Sequence, residues 1–233
     1  MDMKKIFMAA AAILALAACN KNIPVEGPSM ELTATMETGT TKRHLDALDV
    51  LWDANDEISV FSMEEGIYRN SKFATAEEGS TALFKGPGVT VDENLYALYP
   101  YDAEASFIPA SGIAISADYT EQRLSSGSFS MGINLSVGKC TGDKIVSFRN
   151  VGALLSFTLT QERADTLRRI EIKSNDGKLL VFSGAAGIAW NGGDPTIDIA
   201  DGAAKSDVIR LLPAGESFNT GDTYYVWILP GAY

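Results

Sequence analysis

Enzyme chemistry needs a small set of side chains brought together, and this chain of 233 residues carries few of them. His44 is its only histidine, and Cys19 and Cys140 are its only cysteines. As the base of a hydrolytic triad His44 would need a serine partner, yet no serine stands in a G-x-S-x-G turn. The bland reading of His44 is an exposed histidine in the polar stretch TTKRHLDALD. One histidine and two thiols do not make a zinc cage, and no glycine-rich loop has the spacing that cradles phosphate. Asp53, Asp56 and Glu57 place several oxygens within one turn, which could hold calcium. The Gly and distal Glu of an EF-hand loop are missing, however, and a polar turn between two strands accounts for them as well. No carboxylate pair is marked out for glycoside hydrolysis. Trp52, Trp190, Trp227 and the tyrosines could form a platform for stacking sugars, or could pack as core and cross-strand pairs. No catalytic, cofactor or metal site is therefore expected. Cys140 reads as a small buried thiol, because no neighbour in the sequence would activate it.

Cys19 is different, because of what precedes it. Lys4 and Lys5 are followed by an unbroken apolar run over residues 6–18, and LALAACNKN turns polar immediately after the cysteine. The run is well short of the roughly 20 residues a spanning helix needs. A positive start, a short apolar middle and small residues at the end are the pattern of a secretory leader. Leu16-Ala17-Ala18-Cys19 also resembles the lipobox of bacterial lipoproteins, which implies cleavage before Cys19 and acylation of its thiol. Residues 1–18 are then a signal peptide and 19–29 a tether. Each buried methylene contributes about 0.8 kcal/mol, so two or more acyl chains hold a protein stably on a membrane. Loss of Asp2, Lys4 and Lys5 with the leader leaves 17 basic against 29 acidic residues. Such a surface repels phosphate backbones, so nucleic acid is not an expected partner.

Beyond the tether the dominant period is two. Leu32, Ala34 and Met36 alternate with polar neighbours, as do Leu155, Phe157 and Leu159, then Ile170 and Ile172, and Ile197 and Ile199. Ile58 and Val60 stand opposite Ser59 and Phe61. Alternation of this kind predicts strands with one buried face. Turn signals separate them at residues 53–56, 86–88, 175–177 and 191–195. No stretch after the leader sustains a helical apolar period over three turns. The class is all-β, with packed antiparallel sheets. Length suits two bodies, 30–144 and 145–233, divided at the Gly-bearing polar stretch 138–144. A faint echo between LYALYP and YYVWILP supports two similar halves.

Taken in order, ELTATMETGTTKRHLDALDVLWDANDEISVF, LYALYPYDA, SFRNVGALLSFTLT and YYVWILPGAY resemble the fimbrillin family of Bacteroidetes lipoproteins. The family often has Gly-Asp after the tryptophan, where this chain has Asn55-Asp56. Asn also tolerates turn geometry. The resemblance implies two tandem transthyretin-like antiparallel β-sandwiches and a lipoprotein precursor of surface fimbriae, anchored in the outer membrane. It implies partners too: other fimbrial subunits joined by β-strand addition, and a host or bacterial surface ligand. Family members are trimmed after a basic residue beyond the first strand, and a neighbour's strand fills the groove this opens. Arg43 stands where that cut would fall, and can equally be read as a solvated loop charge. Family members continue beyond the Leu-Pro-Gly turn, so the second sandwich is expected to be incomplete at Tyr233, through truncation or because the subunit receives a strand without donating one. Asn20-Lys21-Asn22 lacks the acidic residues that often mark surface-exposed lipoproteins of this phylum, so periplasmic and outer-face display both stay open. Asp165-Thr166-Leu167 is similar to a short O-glycosylation pattern of the same phylum. A monomeric lipoprotein that binds glycan or peptide is the alternative function.

Overall fold

The computed structural model describes residues 29–36, 51–127, 133–140, 142–160, 166–191 and 193–231. Within them the chain is all-β, with seventeen strands and no α-helix. The first five strands are β1 (Ser29–Met36), β2 (Glu57–Glu64), β3 (Ile67–Thr75), β4 (Thr81–Pro87) and β5 (Tyr96–Tyr99). Then come β6 (Ser106–Ile108), β7 (Gly112–Asp118), β8 (Glu121–Leu124), β9 (Ser136–Cys140) and β10 (Ile145–Asn150). The last seven are β11 (Ala153–Thr158), β12 (Ile170–Lys173), β13 (Val181–Asn191), β14 (Asp194–Ile199), β15 (Ala204–Ser206), β16 (Val208–Pro213) and β17 (Thr223–Ile228).

Seven strands form one sheet that closes on itself in the order β1-β10-β9-β5-β2-β3-β4, with β4 pairing back to β1. All neighbours are antiparallel except β1 and β10, which run parallel. Local chemistry sets the hairpins. Between β2 and β3, Glu65 and Gly66 both take positive φ, at 51° and 82°, the left-handed geometry whose twist matches a two-residue hairpin. Inside the barrel, alternate residues of each strand meet: Leu32, Ala34, Ile58, Val60, Phe73, Phe84, Val146 and Phe148 are buried together.

The remaining strands make three small sheets, β14-β13-β7-β6 with β15 on β13, β12-β16-β8, and β11-β17. Their core holds Ile113, Val181, Phe182, Ile188, Leu211, Val226 and Trp227. Gln122 on β8 ties two of these sheets together. Its Nε2 donates to the Trp227 carbonyl at 2.7 Å and its Oε1 accepts from the Trp227 N–H at 3.0 Å, so a buried side-chain amide replaces a rung of backbone ladder.

The sheet memberships differ from a division at residues 144 and 145. The polar stretch there is a hairpin turn and no linker: Gly142, Asp143 and Lys144 all have positive φ, and β9 pairs antiparallel with β10 across it. The strand expected to open the second body therefore belongs to the barrel, where Val146 and Phe148 enter the core. Conversely β6, β7 and β8 leave the first half of the chain and pair with β13 and β16. The two bodies also share apolar surface. Phe61, Leu98 and Val137 point outward from the barrel and are buried in the second core, which is why β2 is buried on both faces where one polar face was expected.

Candidate assembly groove

The first strand after the tether lies between two others. Residues 29–35 of β1 pair antiparallel with β4, from Ser29 opposite Pro87 to Thr35 opposite Thr81. On its other edge Thr33 to Met36 pair in parallel with Ile145 to Phe148 of β10. The Thr33 N–H donates to the Lys144 carbonyl at 2.9 Å and the Met36 N–H to the Ser80 carbonyl at 3.0 Å, so the strand is tied at its middle and at its last residue. Leu32, Ala34 and Met36 point inward and are buried, while Glu31 is exposed and reaches Lys85 at 3.0 Å. If β1 left, β4 and β10 would each present an unpaired edge above an apolar slot shaped for alternate side chains.

The slot is floored by aromatic rings. Trp52, fully buried, meets Phe84, Phe148 and Tyr99 edge-on at centroid distances of 4.9, 5.1 and 5.3 Å. These edge-to-face contacts are the favoured arrangement of aromatic quadrupoles. Phe148 also needs Gly138 beneath it: a Cβ there would lie 3.1 Å from the Phe148 ring and 2.5 Å from Val146 Cγ1. Cys140 is buried in the same core as a small free thiol.

The acidic turn beside Trp52 has a structural role in this arrangement. Asp56 is buried, accepting the Asp53 N–H at 2.8 Å and the Tyr99 hydroxyl at 3.0 Å. Asp53 is exposed, and Glu57 turns away to pair with Lys72 at 2.9 Å, so the three carboxylates do not converge on a cation. Burial pushes the Asp56 carboxyl above its usual range, against the lowering effect of its two hydrogen bonds, and the nearby Asp53 carboxylate pushes the same way as burial. The fold thus binds this proton more tightly than the unfolded chain does. Its contribution to stability is complete below the unfolded carboxyl value of about 3.9 and is lost as pH rises through the folded value. Asp56→Asn keeps an acceptor in the same outline without the charge. Its stability relative to the parent should rise between about pH 3 and about pH 7, read as urea midpoints. A difference that stays flat or falls over that range would contradict the assignment.

The expected sites divide as follows. Cys19, Arg43 and His44 lie outside the described residues. Trp52 and Trp227 are fully buried in separate cores, so they do not form a sugar platform together. Trp190 alone of the three is half-exposed. Thr166 and Leu167 are exposed, and Asp165 lies outside the described residues. Sequence reasoning missed Gln122 and the pairing of β1 with β10, since neither a lone glutamine nor a strand's partner leaves a local pattern. Comparison with protein-family models, curated proteins and solved structures finds no match for the chain.

Proposed function

We propose that the protein is a structural subunit or adhesin of surface fimbriae of the Bacteroidetes fimbrillin kind. In this reading it is exported as a lipoprotein, anchored in the outer membrane through Cys19, and joined to other fimbrial subunits by strand exchange. In this reading two tandem transthyretin-like sandwiches underlie the all-β fold, and a host or bacterial surface ligand is the outer partner. The observation that carries the reading is the position of β1. It comes first among the described strands, is seated in parallel against β10, and plugs an apolar groove with Leu32, Ala34 and Met36. It is followed in sequence by Lys42 and Arg43 before the barrel resumes. A cut after Arg43 frees β1 from the rest of the chain, and a neighbour's strand with alternating apolar residues then supplies the same ladder and the same burial. The far body offers a strand edge. Among the described residues β11 pairs with β17 alone, and Leu155 on it is 38% exposed.

Treating the protein, with its leader removed, with an Arg-specific protease tests the reading. Clean cleavage after Arg43 followed by a ladder of oligomers is the expected result. A chain that stays intact and monomeric overturns the assembly reading and favours a monomeric binding lipoprotein.

A further inference from the structure

The outer face of the barrel carries a row of four side chains in matched register: Thr35 on β1, Ser147 on β10, Lys139 on β9 and Tyr96 on β5. Arg149 follows Ser147 on the same face of β10. These residues line a cleft of about 680 Å³, completed by Phe107, the turn between β6 and β7, and Trp190 near the end of β13. The volume falls within the roughly 300–1,000 Å³ typical of small-molecule sites.

The cleft has three kinds of chemistry in one place. Its aromatic part is preorganised: Tyr96 stacks on Phe107 with centroids 4.1 Å apart and planes 17° apart, and Trp190 lies 5.2 Å from Tyr96. Tyr96 and Trp190 both line the cleft and are half-buried, so neither is closed off from solvent. Its charge is positive. Lys139 is exposed, has its Nζ 5.6 Å from the Tyr96 ring centroid, and makes no ion pair among the described residues. Arg149 is held in place by the Gly193 carbonyl at 3.1 Å and by the Asp194 carboxylate. None of the described residues lining the cleft is Asp or Glu, in a chain with 30 acidic residues against 19 basic. Its third component is a hydroxyl pair, with Thr35 Oγ1 and Ser147 Oγ 3.5 Å apart.

We propose that this cleft binds a carboxylated saccharide. The sugar ring lies against Trp190 and Tyr96, its carboxylate meets Lys139 in a charge-assisted contact, and its hydroxyls bond to Thr35 and Ser147. A neutral sugar leaves the unpaired cation unused, and a bare carboxylate leaves the aromatic wall unused. The proposal concerns the chain with β1 in its groove; a cut that removed β1 would take Thr35 away and leave Ser147, Lys139, Tyr96 and Trp190 in place.

Trp190 supplies the readout, because Trp52 and Trp227 are both fully buried. The full chain is titrated with N-acetylneuraminic acid and with glucuronic acid, and in parallel with glucose and with acetate, following tryptophan fluorescence. A saturable change is expected with at least one of the two acidic sugars and with neither control. Lys139→Glu, an exposed change that should leave the melting temperature alone, should weaken the binding about tenfold or more. Trp190→Ala should abolish it when followed by calorimetry. The proposal is overturned by no saturable response to either acidic sugar up to roughly 10 mM, by an equal response to glucose or to acetate, or by unaltered binding in a folded Lys139→Glu chain.

Discussion

Leu32→Asp is expected to weaken the barrel by about 4 kcal/mol or more, whereas Thr33→Asp, one residue further on, should cost less than about 1 kcal/mol. The contrast follows from the pleat. Leu32 points inward and has no exposed surface, and a carboxylate there would lose water without gaining a partner. Thr33 faces outward and is half-exposed, so an added charge keeps its solvent. Relief from the buried charge comes most directly by β1 leaving its groove. Amide protons of β1 should then lose protection from exchange, while those of β2 and β5, which pair with each other and not with β1, keep more of theirs. Urea midpoints and hydrogen exchange read the two effects. Equal costs at the two positions would mean that β1 slips by one residue in its groove, since a slip of that size turns every side chain to the other face. The assembly reading would then lose its basis, because a strand without fixed register cannot specify the strand that replaces it.

Much of the strand content was legible because alternation is a local signal. The segments around Leu32, Ile58, Ile170 and Ile197 all lie in strands, as does Tyr224-Tyr225 near the end of the chain. What sequence could not supply was the partner of each strand. Residues 142–144 look the same as a linker or as a hairpin turn, and only the pairing of β9 with β10 decides between them. The carrying of β6, β7 and β8 into the second body depends on contacts between Ile113 or Ile115 and β13, residues some seventy positions apart in the chain. Phe61 illustrates the same limit on one side chain. Its place in the alternation puts it on the outer face of β2, where solvent was the simple expectation, and the neighbouring body covers that face. The cleft was half legible: Trp190 stood out as an aromatic, but Lys139 and Ser147 acquire meaning only from the register that sets them beside Tyr96 and Thr35. Cys19 and Arg43 rest on sequence alone.

Trp52→Ala should cost about 4 kcal/mol, and Trp52→Phe markedly less, in the same urea titration. The indole fills the space between Phe84, Phe148 and Tyr99, so truncation leaves a cavity that three rings packed edge-on cannot readily close. Phe restores an aromatic contact to part of that space. It also removes a liability, because the Trp52 Nε1 hydrogen is buried without a hydrogen-bond partner. The backbone of Trp52 is fixed independently, exchanging hydrogen bonds with Gly79 at 2.8 and 3.0 Å, so either variant keeps the chain in place while the ring changes. The consequence reaches β1, since Phe84 on β4 and Phe148 on β10 belong to the two strands that grip it. Loss of the indole should therefore loosen the groove as well as the core, and β1 amides should exchange faster in Trp52→Ala than in Trp52→Phe. If Trp52→Ala cost less than about 1 kcal/mol, the ring packing would contribute little, and the groove would depend on backbone pairing alone.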